Sequence, residues 1–224
     1  MRYRGCVSLV FDDGYEQILR KVVPLLRQMR LPATFAVVVE PENLVRETGR
    51  PIAPAKEWLS LRAEGFEIAS HSVTHPDLRT LSHAELVHEL VASQKTLGAK
   101  TFVYPGGAFN ERVLQAVRHT YRAARTVKRG LETLPPRNPW CLRAYNFTRP
   151  RFSARRANLL AIYAALRGRW LIETYHMILP ARAPRRLPLD KRYAIDEEEF
   201  REHLRFLARR RIPVRTIAQV TQLK

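Results

Sequence analysis

Seven short runs of β-branched and apolar residues recur along this chain, separated by stretches with helical character, and that alternation restricts it to an α/β fold built on parallel strands. The strand runs are Val7–Phe11, Ala33–Val39, Phe66–Ala69, Thr101–Tyr104, Ala123–Thr126, Trp170–Tyr175 and Val214–Thr216. Helical patterns fall at Pro24–Met29, Ala55–Ala63, Ala84–Leu97, Asn110–Arg118, Ala154–Leu166 and Glu197–Arg210. Seven strand-helix units predict a small barrel, closed or incomplete. Function in such a fold belongs to the loops after the strands' C-terminal ends.

Local signals sharpen the boundaries. Pro24 lacks the N–H a helix interior needs, so it is expected in a first turn. Ser82 with Glu85, and Asp196 with Glu199, have the spacing of a capping box ahead of an apolar periodic segment. Glu132 to Arg151 reads as a long excursion that has room for a strand within Cys141–Phe147, and Pro180 to Arg192 as a second loop. Neither resembles a domain linker, and no repeat interrupts the chain. One domain spanning residues 1–224 is therefore expected.

A chain of this length buries roughly 70% of its unfolded surface and has no need of staples. A metal in it is thus better assigned to chemistry than to folding. Cys6 lies within a strand run, and a lone pair with Cys141 makes no framework, although spacing leaves a bridge between them open. The N-terminal "MRYRGCVSLVFDDG" has too short an apolar run for a signal peptide, and nothing approaches the roughly 20 apolar residues of a membrane span. The expectation is a cytoplasmic protein.

Net charge is +18, mostly arginine, with clusters at Arg155-Arg156, Arg185-Arg186 and Arg209-Arg210-Arg211. This favours anionic partners and allows peripheral membrane contact. Solvated helix faces are the preferred reading of the scattered arginines. Nucleic acid is not expected, since no standard signature for it appears. Nothing in the pattern fixes an oligomeric state.

The polar residues that follow the strand runs carry the chemistry. Asp12 and Asp13 follow the first, His71 and His75 the third, Tyr104-Pro105-Gly106-Gly107 the fourth, and His176 the sixth. A barrel brings such ends together. Two imidazoles and one carboxylate of the Asp pair make a three-ligand set for a divalent metal such as zinc, with a position left open for water. Adjacent aspartates after a strand point apart, so one can ligate while its neighbour takes a proton from water. His176 suits a general acid near neutral pH, or else a hydrogen-bonded core histidine. Gly106-Gly107 offers N–H groups to an oxyanion, or simply makes a tight turn.

"VSLVFDDGY", "ASHSVTHPDL", "FVYPGGAFN" and "TYHMI", in that order, resemble the successive motifs of the polysaccharide deacetylase family, carbohydrate esterase family four. "EEEFREHLRFLARRRIPVRTIAQV" resembles its closing helix and strand. The resemblance implies a distorted (β/α) barrel and metal-dependent removal of acyl groups from N-acetylated sugars. It makes Asp12 the general base, Asp13, His71 and His75 the metal ligands, Gly106 an oxyanion donor and His176 the acid. The implied cofactor is zinc, with cobalt, nickel or manganese as alternatives.

Two features depart from the family pattern. Val103 stands where members often carry an arginine that orients the base, and the acidic and tryptophan elements of the usual fourth motif are absent. Arg143, in "CLRAYNF", is expected to take over that tether. With Tyr104, Pro105 and Gly107 it is expected to contact substrate. The sequence thus points to a deacetylase for an amino sugar or glycan, ahead of a deformylase or small-amide hydrolase of the same fold. A non-catalytic protein that binds glycan or nucleic acid is the remaining reading.

Overall fold

The computed structural model describes residues 3–148, 152–180, 182 and 188–222. The Arg185-Arg186 pair, Arg149 to Arg151 and much of the second predicted loop lie outside them. Seven parallel strands form one curled sheet in the order β5-β4-β3-β2-β1-β7-β6. They are β1 (Cys6–Phe11), β2 (Thr34–Val37), β3 (Glu67–Ser70), β4 (Thr101–Val103), β5 (Ala123–Arg125), β6 (Tyr145–Asn146) and β7 (Trp170–Tyr175). Edge strand β5 makes a parallel bridge from Arg125 to Leu142, in the segment that leads into β6. A two-stranded parallel pair, β8 (Met177–Leu179) with β9 (Ala194–Asp196), stands beside the sheet.

Helices pack around the sheet: α1 (Val23–Met29), α2 (Glu42–Thr48), α3 (Ala55–Ser60), α4 (His83–Leu97), α5 (Glu111–Thr120), α6 (Ala154–Leu166), α7 (Pro188–Tyr193), α8 (Glu197–Arg210) and α9 (Ile217–Val220). Every residue of β1 and β7 is buried, as expected for parallel strands covered on both faces. Two smaller clusters stand apart from the main core, one of Ala36, Ala69 and Val103 and one that includes Cys6, Val10, Trp170 and Ile172. Large rings such as Phe35, Trp58 and Phe102 fill the space between sheet and helices.

The strand count agrees with the sequence reading, but one member differs. Val214 makes only a single bridge to Val7, and the seventh strand comes instead from Tyr145–Asn146, within the excursion where room for a strand was seen. Pro24 sits in the first turn of α1 as expected, yet a π-helical turn, Ile18–Val22, runs directly into it. Ser82 forms the full capping box with Glu85. Asp196 makes no side-chain cap bond, and Glu199 instead accepts from the Ala154 N–H at the start of α6, 2.5 Å away. Cys6 and Cys141 are free thiols, and burial raises that of Cys6 to about 11.

Candidate active site

Four of the predicted groups converge at the C-terminal mouth of the strands. β1 delivers Asp12 and Asp13, β3 delivers His71 and the turn to His75, the turn after β4 delivers Gly106 and Gly107, and β7 delivers His176. They line one pocket of about 190 Å³.

His71, His75 and Asp13 present one ligand atom each within 4.8 Å of one another. The Asp13 Oδ1 lies 3.4 Å from His71 Nε2 and 3.7 Å from His75 Nε2. His71 Nδ1 stands 2.8 Å from the Val103 carbonyl oxygen. That oxygen only accepts, so the ring proton belongs on Nδ1 and the Nε2 lone pair faces Asp13. Burial, then the neighbouring His71, pulls His75 down to about 4. The ring is thereby neutral at pH 7, the form that binds metal. Burial alone would raise the Asp13 carboxyl. The facing imidazoles of His71, His176 and His75 outweigh it and hold the group well below the usual carboxylate range. This donor set fits a divalent cation.

The backbone is strained to achieve this arrangement. Asp13, Ser72 and His75 all have positive φ, at 73°, 70° and 62°. Of the other described non-glycine residues with positive φ, Arg30 and Arg211 end helices and Gln222 lies near the C-terminus. Left-handed residues away from helix ends persist only where surroundings force them, and they cluster at functional sites. Here the force is visible. Buried Glu89 of α4 accepts from the Val73 N–H at 2.7 Å, the Thr74 N–H at 3.0 Å and the Thr74 hydroxyl at 2.7 Å, and Ser72 Oγ accepts from the His75 N–H at 2.9 Å. The sequence reading did not single out Glu89.

Asp12 points away from this set, as two adjacent aspartates must. It is 4% exposed, and both its carboxylate oxygens lie 2.5 Å from Nη2 of Arg125, itself 1% exposed. His176 Nε2 approaches Asp12 Oδ2 at 3.7 Å, and its ring packs on Tyr193. The tether predicted for Arg143 is therefore corrected: that side chain bonds Glu132 Oε1 at 3.0 Å and the Leu131 carbonyl at 2.5 Å, and does not line the pocket. Arg125 occupies the role. It pairs in register with Val103, so the guanidinium missing from β4 is supplied one strand over. An arginine within the run "AARTV" was the available signal, because a buried arginine requires a partner.

The turn after β4 divides its tasks. The Gly107 N–H is spent on the Tyr104 carbonyl at 2.8 Å, whereas Gly106 takes no part in the bonds that close the turn. Gly106 has φ 58°, lines the pocket, and a Cβ there would meet nothing within 4 Å. Gly107 lines the pocket, but Pro105 is buried outside its wall. Tyr104 reaches the wall while its hydroxyl donates to the Trp140 carbonyl at 3.1 Å, which takes the polar end away from a substrate. Asn146 also lines the pocket, with its Oδ1 buried and unpartnered among the described residues.

Residues 2–124 match a family model described as polysaccharide deacetylase. A chitooligosaccharide deacetylase of Bradyrhizobium sp. (strain ANU 289) is 34% identical over 93 residues, which make up 41% of this chain and 38% of that protein. The chain thus spans well under half the length of that curated relative. The Xyl-CE4 domain of a multidomain xylanase from the hindgut metagenome of Trinervitermes trinervoides superimposes with a TM-score of 0.61, over 99% of this chain and 91% of that one, at 18% identity. A CE4 family pseudoenzyme from Bacillus anthracis superimposes with a TM-score of 0.59, over 96% and 65%, at 14% identity. Likeness at such identities speaks for the fold alone. With a pseudoenzyme among the neighbours, the case for catalysis has to come from side chains.

Proposed function

The chain belongs to the polysaccharide deacetylase family, and from that premise we propose that it hydrolyses the N-acetyl amide of an amino sugar or short glycan. The observation that supports this best is the separation of two carboxylates on one turn: Asp13 joins His71 and His75, while Asp12 is clamped by Arg125 and faces His176. A glycan-binding protein has no use for a tethered base, an acid and a cation site in one small pocket.

Asp13, His71 and His75 would hold the cation, zinc first by their chemistry. When bound, such a cation acts as a Lewis acid that lowers the pKa of water and polarises a carbonyl. Asp12 takes the proton of the attacking water as its oxygen bonds to the amide carbon. Arg125 holds both oxygens of that carboxylate in place, so the base does not swing toward the cation. The Gly106 N–H is the donor assigned to the carbonyl oxygen on which negative charge grows. His176 donates a proton to the nitrogen as the C–N bond breaks, leaving an acid and a free amine.

Peripheral contact with an anionic membrane belongs to the same proposal, and is supported by an exposed apolar stripe on α6 flanked by arginines. No described helix is long and apolar enough to cross a bilayer.

Acetate release from a graded series of N-acetylated sugars, with metal content measured in parallel, tests the reading. Asp12→Asn is expected to lower turnover by roughly 10²- to 10⁴-fold with metal content unchanged, since it removes a base and no ligand. Full activity in that variant, or no acetate from any sugar in the metal-loaded wild type, would sink it.

A further inference from the structure

A second cavity, of about 570 Å³, adjoins the catalytic pocket and shares Val127 and Asn146 with it. Its remaining wall includes Arg129, Tyr145 and Arg156 and has no carboxylate. The Arg129 guanidinium lies 5.1 Å from the centre of the Tyr145 ring, and among the described residues neither Arg129 nor Arg156 is ion-paired to a carboxylate. Across the molecule many other arginines are neutralised in this way, Arg27 by Glu64, Arg50 by Asp190 and Arg79 by Asp77 among them. Two unneutralised guanidiniums on one cavity raise its potential, and low-dielectric walls focus the field.

The two pockets meet at Val127 and Asn146. Val127 is 42% exposed, and the Asn146 Oδ1, buried without a partner, is free to accept from a sugar hydroxyl or amide there. We infer that this cavity is an anion subsite, and that the amino sugar processed in the catalytic pocket carries a phosphate group that lies between Arg129 and Arg156. Two forked donors suit a phosphate, which offers several oxygens and up to two charges, better than a single carboxylate. Tyr145 supplies the flat apolar floor over which the guanidinium is held.

The proposal rests on the amide-hydrolase reading, so the experiment separates the two. Acetate release is measured from an N-acetylated amino sugar and from its phosphate monoester, in wild type, Arg129→Ala and Arg156→Ala. The expected result is a kcat/KM about tenfold or more higher for the phosphate ester, carried in KM, and a ratio that falls toward one in each variant. Equal turnover of both sugars overturns the subsite while the deacetylase reading stands. If neither sugar releases acetate, calorimetry with inorganic pyrophosphate on the metal-free protein decides: binding that Arg129→Ala and Arg156→Ala weaken supports the subsite, and binding that is absent or unchanged in them overturns it.

Discussion

A single imidazole couples stability to acidity at this site. Burial, and after it the neighbouring His71, lowers His75 to about 4 from the ordinary 6.5, so the folded chain keeps that ring neutral where the unfolded chain would protonate it. The folded state then binds fewer protons, and stability falls with falling pH. The contribution is intact above the ordinary histidine value and is lost progressively as pH drops toward that of the folded ring, to a total of about 3 kcal/mol. Asp13 stays ionised through that window, because its carboxyl is held well below the usual range. Urea unfolding of metal-free protein at a series of pH values should show this slope, and His75→Gln should flatten it. An unchanged slope in the variant would mean that the ring is charged or solvated in the fold. At this scale the sequence was most legible, since Asp12, Asp13, His71, His75 and His176 each follow a strand in an order that reads directly. For Arg125 the sequence signals only a buried arginine in need of a partner; that the partner is Asp12 depends on sheet register, which the Val103–Arg125 pairing reveals.

At the scale of elements, the turn after β4 is fitted against the end of β5. A Cβ placed on Gly107 would stand 2.3 Å from Val127 Cγ2, and the residue has φ 70°. Gly107→Ala therefore meets two separate costs, a left-handed backbone worth about 1–2 kcal/mol and a clash that must displace Val127. Adding Val127→Ala should remove both Cγ contacts and leave a tight Cβ contact of 2.9 Å together with the backbone cost, so the double variant is expected to melt above Gly107→Ala and below wild type. A double variant no more stable than the single one would show that the two elements do not touch as described. Element boundaries were legible where local chemistry sets them, as with the Ser82 capping box. The exchange of Val214–Thr216 for Tyr145–Asn146 as the seventh strand was not. Tyr145–Asn146 is two residues long and is selected by the unfilled edge of β7 rather than by its own propensity.

For the whole molecule, the distribution of apolar surface says more than the net charge does. Helix α6 buries five alanines, Ala154, Ala157, Ala161, Ala164 and Ala165, and packs closely on α8 with that small face. Leu160 and Ile162 pack against the core, but three other large apolar side chains point outward: Leu159 is 60% exposed, Tyr163 53% and Leu166 38%. Their spacing along the helix sets them in one stripe. Folding alone would select the opposite arrangement, since Leu buries more apolar area than Ala. Arg155, Arg156, Arg167 and Arg169 are exposed beside the stripe. An amphipathic surface with arginines at its margins suits the interface of an anionic bilayer, where each cation near the surface adds about 1 kcal/mol. Arg156 and Leu160 of the same helix line the cavity beside the catalytic pocket, so a chain resting on α6 would hold that cavity close to the lipid headgroups. The expected outcome is sedimentation with vesicles that contain anionic lipid, weakened by salt, and little with purely zwitterionic ones. The Leu159→Asp, Tyr163→Asp double variant should remain in solution while its acetate release from a soluble sugar persists, because neither residue touches the pocket. Vesicle binding that survives in this variant would move the contact to another face of the barrel, and the outward leucines would then need a protein partner to cover them.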